Sequence, residues 1–221
     1  MTDYPLPNTS NDLSDQVALV TGTTSGLGRR FARVLANCGA KVVVTGRREE
    51  RLQELAEEIR NDGGEALPVR FDMTQRDSIL AMVDAAEEKF GTVTILVNNA
   101  GIPDAQRAHK MEDDLVDTVF DTNLRGPWIL SCEIARRLIK AEKPGRMVNI
   151  SSVAAFHYSG NGAALYSVTK AALARMTEAL AVEWSRYQIN VNAIAPGAFS
   201  SEMLDGMLER MGDISQHFPR K

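Results

Sequence analysis

Short β-branched runs alternate along this chain with long amphipathic stretches. The apolar runs at 17–21, 41–45, 66–71, 95–98, 147–150 and 189–193 predict six strands. Their near-continuous apolar character predicts strands covered on both faces, and hence a parallel sheet. Helical spacing fills the gaps, near 27–38, 49–61, 75–90, 112–141 and 163–186. Leu52, Leu55, Ala56 and Ile59 share one face of the second helix, and Met82, Ala85, Ala86 and Phe90 one face of the third. Gly126-Pro127 predicts a break in the fourth. Asn37-Cys38-Gly39 and Asn61-Asp62-Gly63-Gly64 predict helix ends.

Strand–helix alternation with no repeat and no linker predicts one α/β domain, a Rossmann-like doubly wound parallel sheet with right-handed crossovers. Its expected limits are residues 15–221, behind a flexible arm over 1–14. A chain of 221 residues, 44% hydrophobic and 24% charged, suits a single globular core. The net charge of −4, with both signs interspersed, points away from a nucleic-acid partner. No apolar run reaches the roughly 18 residues of a membrane span. The polar start has neither the basic nor the apolar region of a signal peptide. Cys38 and Cys132 sit among apolar neighbours and are too few for a disulfide scaffold, so small core residues in a cytoplasmic, reducing setting are expected. No metal site is expected.

The first chemical signal follows the first strand. Gly22, Gly26 and Gly28 are spaced G-x-x-x-G-x-G through Thr24, Ser25 and Leu27, between a strand and a helix. Glycines let backbone approach a pyrophosphate, and the helix start offers it unpaired N–H groups. A plain strand–helix turn would use glycines too, and only the context favours the phosphate. After the second strand Gly46 stands where an acidic residue would meet a ribose 2′-hydroxyl, and Arg47 and Arg48 follow. Guanidinium groups there can grip a 2′-phosphate, which favours NADP(H) while leaving NAD(H) possible. The alternative is that both arginines simply begin a charged helix.

Tyr166 and Lys170 lie four apart, on one face of a helix. A phenol ionises near pH ~10, and a nearby ammonium or an oxidised nicotinamide would bring it closer to working pH. On spacing alone an exposed helical pair is the better account. Ser151 and Ser152 end the fifth strand, and Asn98-Asn99-Ala100-Gly101 ends the fourth, both at the carboxyl edge where such sheets bind ligands. Asn123 is an unusual amide inside a helix, either functional or a satisfied core group.

Together these motifs closely resemble the short-chain dehydrogenase/reductase family over almost all of residues 15–210. The match rests on the glycine turn at 22–28, Asp72 after the third strand, Asn98 to Gly101, Asn123, Ile150-Ser151-Ser152, Tyr166-x-x-x-Lys170 and Pro196-Gly197. The resemblance implies hydride transfer between a nicotinamide and a carbonyl or alcohol, with reduction of a 3-oxoacyl or other keto group as an example. It implies that Tyr166 is the acid–base group, that Lys170 lowers its pKa and holds the nicotinamide ribose, and that Ser152 positions the carbonyl. Asn123 would anchor a water in a proton relay, and Asp72 would bind adenine beside Met73. Asn99, with Ala100 and Gly101, would support the cofactor loop. Pro196, Gly197 and Ser201 would border the nicotinamide. Relatives pair through the helices near 112–141 and 163–186, which implies a homodimer or homotetramer.

The chain departs from the family pattern in two places. Ser152 precedes Tyr166 by one residue more than is usual, which assigns an extra residue to the loop at 154–162. The sequence also stops at Lys221, just after the expected lid segment at 201–211, so the family's last helix and strand are expected to be absent. Two other readings therefore stand beside the enzyme: a non-catalytic NADP(H)-binding sensor, and a truncated inactive fragment. The loops supply Ile102, Phe156, His157, Tyr158, Phe199 and Met203 as pocket candidates, which suits an uncharged, partly apolar small-molecule substrate.

Overall fold

Each apolar run becomes a strand, and each amphipathic stretch becomes the crossover to the next. A computed structural model describes residues 10–104, 106–158, 160 and 162–199. The strands are β1 (Val17–Thr21), β2 (Lys41–Gly46), β3 (Glu65–Arg70), β4 (Ile95–Asn98), β5 (Gly145–Ile150) and β6 (Ile189–Ile194). The helices are α1 (Gly26–Asn37), α2 (Glu49–Asn61), α3 (Arg76–Phe90), α4 (Asp113–Phe120), α5 (Gly126–Lys140) and α6 (Ala164–Trp184). All strand pairs are parallel, in the order β3-β2-β1-β4-β5-β6.

Side chains alternate across the sheet, so the strands from β1 to β5 feed two cores. Ala18, Val20, Val42 and Val44 meet Ala32, Ala36, Leu52, Leu55 and Ile59 of α1 and α2. Leu19, Val43, Leu96 and Met147 meet Ile79, Met82, Leu130, Ile134, Leu173 and Leu180 of α3, α5 and α6. Pro68 is tolerated because β3 is an edge strand.

Two expectations are corrected. The strand β6 is covered on one face only among the described residues: Ile189 and Val191 are buried, whereas Asn190 and Asn192 are exposed. Its apolar positions alternate rather than run on, which is the pattern of a half-covered strand. Nor does Gly126-Pro127 break the fourth helix. Residues 121–125 form a π-helical turn, and Arg125 keeps helical angles into α5. Pro127 has no N–H for the carbonyl four residues back, that of Asn123; widening the turn accommodates this and lets the helix continue. Gly126 N donates to Asp121 O, five residues back.

The chain leaves β1 towards α1 on one face and β4 towards helices on the other. Their loops diverge above the carboxyl ends, at the reversal of strand order where such sheets open a crevice. The expected lid segment at 201–211 lies outside the described residues.

Candidate active site

A cleft of about 560 Å³ opens at that edge. Of the residues proposed from sequence, Gly22, Thr24, Ser25, Gly26, Leu27, Arg47, Arg48, Asp72, Met73, Asn99, Ala100, Gly101, Ser152, Tyr166, Lys170, Pro196 and Gly197 line it. Gly28 and Asn123 are buried and stand behind its wall. Ser201 lies outside the described residues.

The floor is the glycine turn. Gly22 has φ +71°, and a Cβ there would lie 2.9 Å from Ala100 Cα. A Cβ on Gly28 would overlap Gly22 O at 2.3 Å and Asn99 Nδ2 at 2.4 Å, so α1 can approach its own loop only with glycine. Asn99 holds the turn from the next strand, its Nδ2 donating to Thr21 O at 2.9 Å and Gly22 O at 3.1 Å. Thr21 Oγ1 accepts from the N–H groups of Asn99 and Ala100, both at 3.0 Å, and donates to Val97 O. Ser25, at the start of α1, makes no side-chain cap, and the first turn carries no acid. The unpaired N–H groups are thus free of local competition for an anion. Glycine spacing and open donors fit the pyrophosphate of a dinucleotide.

Beyond the turn, Arg48 folds over the loop. Its Nε and Nη2 donate to Thr24 Oγ1 at 3.1 and 2.6 Å, and Nη2 also reaches Ser25 Oγ at 3.3 Å. A Cβ on Gly46 would sit 3.0 Å from the Thr24 methyl carbon, a tight contact that the Thr24 side chain would have to ease by a small shift. Asp72 Oδ1 accepts from Thr74 N and Oγ1, both at 2.9 Å, which fixes the carboxylate at the cleft wall.

At the other end Tyr166 is the third residue of α6, and Lys170 follows one turn later. Lys170 is only 3% exposed. Its Nζ donates to Ile150 O at 2.7 Å and stands 5.5 Å from the Tyr166 ring centroid. Burial pushes the Lys170 ammonium down to about 8. Ser152 Oγ accepts from Ala154 N at 3.1 Å, and the same hydroxyl is hydrogen-bonded to the Tyr166 phenol. Ser151 instead donates to Lys170 O at 2.9 Å, which spends its hydroxyl inside the fold. Asn123 is fully buried in the π turn. Its Oδ1 accepts from Ile102 N at 2.8 Å, and its Nδ2 donates to Ile102 O at 2.9 Å and Thr169 Oγ1 at 3.2 Å. A Cβ on Gly101 would lie 3.4 Å from both Asn123 Oδ1 and Lys170 Nζ, so these groups converge on one point.

The phenol differs from the sequence expectation. Burial pushes Tyr166 above the ordinary phenol value; the Ser152 hydrogen bond acts in the opposite direction, and the charge of Asp104 adds to the rise. In the protein alone, desolvation outweighs what its neighbours do for the phenolate.

The profile of the short chain dehydrogenase family matches residues 16–211. The chain belongs to that family. Its relatives in the short-chain dehydrogenase family include gluconate 5-dehydrogenase from Gluconobacter oxydans, 34% identical over 196 residues, covering 89% of this chain and 76% of the relative. A solved short-chain type dehydrogenase/reductase from Mycobacterium marinum superposes with a TM-score of 0.87 at 33% identity, covering 90% of this chain and 79% of that one. The actinorhodin polyketide ketoreductase, solved with NADPH, superposes at 0.85 and 36% identity, covering 90% and 76%. As a short-chain dehydrogenase, this chain is an oxidoreductase acting on alcohol or keto groups.

The sequence missed Asp104, a 1% exposed carboxylate that caps α6 from the segment after β4. The available signal was Ala163, a residue with no capping side chain at a helix start. It also missed the buttress role of Thr21. Of the pocket candidates, Ile102 and Phe199 line the cleft, but Phe156, His157 and Tyr158 are exposed outside its wall. Met203 lies outside the described residues. Among the described residues, no helix is long and apolar enough to cross a membrane.

Proposed function

We propose that this chain is an NADP(H)-dependent oxidoreductase that interconverts a ketone and a secondary alcohol, with Tyr166 as its proton-transfer group. The observation that carries the proposal is the convergence of Tyr166, Ser152 and Lys170 at one end of a cleft whose other end is a glycine turn flanked by arginines. When bound, the nicotinamide supplies or accepts the hydride and, oxidised, brings a positive charge that favours the phenolate. The chain's residues do the rest. The Ser152 hydroxyl, already hydrogen-bonded to the phenol, would orient the substrate oxygen beside it. Tyr166, held protonated by burial, is suited to donate its proton to that oxygen as a carbonyl is reduced. Lys170 would hold the nicotinamide ribose, and Asn123 fixes the segment opposite through Ile102.

Preference for the 2′-phosphate is supported by Arg47 and Arg48 at the cleft and by glycine, with no carboxylate, at position 46 of its lining. Ile102, Pro103, Ala163 and Phe199 give the Tyr166 end an apolar wall, which supports an uncharged, partly apolar carbonyl substrate. Phe120, Trp128, Val168 and Val182 leave apolar side chains exposed on α4, α5 and α6, which supports pairing of two copies through these helices.

The test is a panel of ketones assayed with NADPH and with NADH, for the native chain and for Tyr166→Phe. The variant keeps the ring and loses the proton. It is expected to bind NADPH as before and to lose about 100-fold or more in kcat. Equal turnover by the two proteins would overturn the assignment.

A further inference from the structure

The helix that carries Tyr166 and Lys170 has no cap of its own. Ala163 precedes it with no polar side chain, and no local side chain caps its first N–H groups. Those groups are met from sixty residues away. Asp104 Oδ2 accepts from Leu165 N at 2.8 Å and from Tyr166 N at 3.3 Å. These are the second and third positions of α6, the N–H groups that an adjacent Ser or Asp would take. Asp104 does not act alone. Gln106 pairs with Ala163 in a parallel bridge, and Arg107 Nη1 donates to Gly160 O at 3.0 Å. At the other end of the same segment both backbone groups of Ile102 are held by Asn123. The strap after β4 is thus fixed to the π turn at one end and to the start of α6 at the other.

We infer that Asp104 is a positioning residue for the proton-transfer tyrosine: it anchors the start of α6 so that the phenol faces Ser152, with its buried carboxylate held against the Tyr166 backbone. Because Tyr166 is taken as the group that moves the proton, this rests on the function proposed above. Among the described residues the charged groups that bear on Tyr166 are Lys170, from its own helix, 5.5 Å from the ring centroid, and Asp104, from the strap, against the Tyr166 N–H; the β5–α6 turn contributes the neutral Ser152 hydroxyl. Lys170 is engaged with Ile150 O and, through burial, holds its own proton less tightly than usual, while Asp104 sits directly against the Tyr166 backbone. A negative charge there opposes ionisation of the ring, which suits a group that must arrive protonated to reduce a carbonyl.

Two variants of the full chain separate anchoring from charge. Asp104→Asn keeps an oxygen acceptor for the helix N–H groups and removes the charge. Asp104→Ala removes both. Ionisation of Tyr166 is read without turnover, from the ultraviolet absorbance of tyrosinate after subtracting the Tyr166→Phe protein. Asp104→Asn is expected to move that midpoint to lower pH, with its melting temperature close to native. The alkaline limb of ketone reduction should move the same way. Asp104→Ala is expected to lower the melting temperature by roughly 2–4 °C and to lower kcat more than it changes KM. Should Asp104→Ala fail to fold, the Asp104→Asn titration still decides the electrostatic half. An unmoved tyrosinate midpoint in Asp104→Asn would overturn the inference. So would an Asp104→Ala protein with native melting and native kcat. A moved midpoint with an unmoved pH–rate profile would instead count against Tyr166 as the proton-transfer group.

Discussion

Replacing Lys170 with methionine should make the protein more stable and useless as a catalyst. The side chain is 3% exposed, and burial alone pushes its ammonium from 10.5 down to about 8. At about 1.4 kcal/mol for each pH unit, folding a charged Lys170 costs about 3 kcal/mol near neutral pH. Methionine keeps an unbranched apolar stem and removes the charge, but leaves Ile150 O without its 2.7 Å donor, a loss of about 1 kcal/mol. The net gain of about 2 kcal/mol should raise the melting temperature by about 4–8 °C. The sign against pH is specific. The folded value lies below the unfolded one, so between about 8 and 10.5 the unfolded chain holds more protons, and native stability climbs with pH across that window. Tyr166 acts oppositely: its folded value is raised above 10.0, so stability from that group is lost as pH rises beyond it. Thermal unfolding by circular dichroism near neutral pH and at about pH 9.5, compared between the native chain and Lys170→Met, isolates the lysine, because the buried Cys132 thiol, raised above 9.0, contributes equally to both. Between the two, the native protein should gain stability relative to Lys170→Met. A variant that melts lower at neutral pH, or that keeps the native pH slope, would refute the burial cost assigned to Lys170.

Arg48→Ala should raise KM for NADPH by about 10- to 100-fold, the loss of a charge-assisted contact, while KM for NADH changes little; equal effects on both cofactors would remove Arg48 from the 2′-phosphate. Trp128 is 47% exposed on α5, and Trp128→Glu should shift the chain from dimer to monomer in sedimentation velocity, whereas an unaltered sedimentation coefficient would take α5 out of the contact.

Most of the sheet was legible because strands buried on both faces are written as apolar runs and their crossovers as helical stripes. The glycine turn was legible from local needs, the positive φ of Gly22 and the approach of Gly28 to Gly22 O, while the crowding of both by the Asn99–Ala100 segment was not. What stayed hidden depends on distant partners. Gly126-Pro127 reads as a stop, yet the π turn around Asn123 absorbs the missing N–H and carries the helix through. Asp104 caps a helix that begins sixty residues later, and no window on the sequence joins the two. The upward push on Tyr166 comes from burial, which Tyr-x-x-x-Lys spacing does not record. The open face of β6 was visible in Ile189-Asn-Val-Asn, whose polar positions alternate.

Where β1 and β4 part company, two side chains stitch the seam: Thr21 Oγ1 takes the N–H groups of Asn99 and Ala100 and gives its proton to Val97 O of β4, while the Asn99 amide reaches back to Thr21 O and Gly22 O. Just past the last rung of the backbone ladder, Val20 beside Val97, side chains thus take over the task of keeping the two edges together. Loss of either side chain is therefore expected to loosen the loops that floor the cleft while leaving the strands beneath them paired.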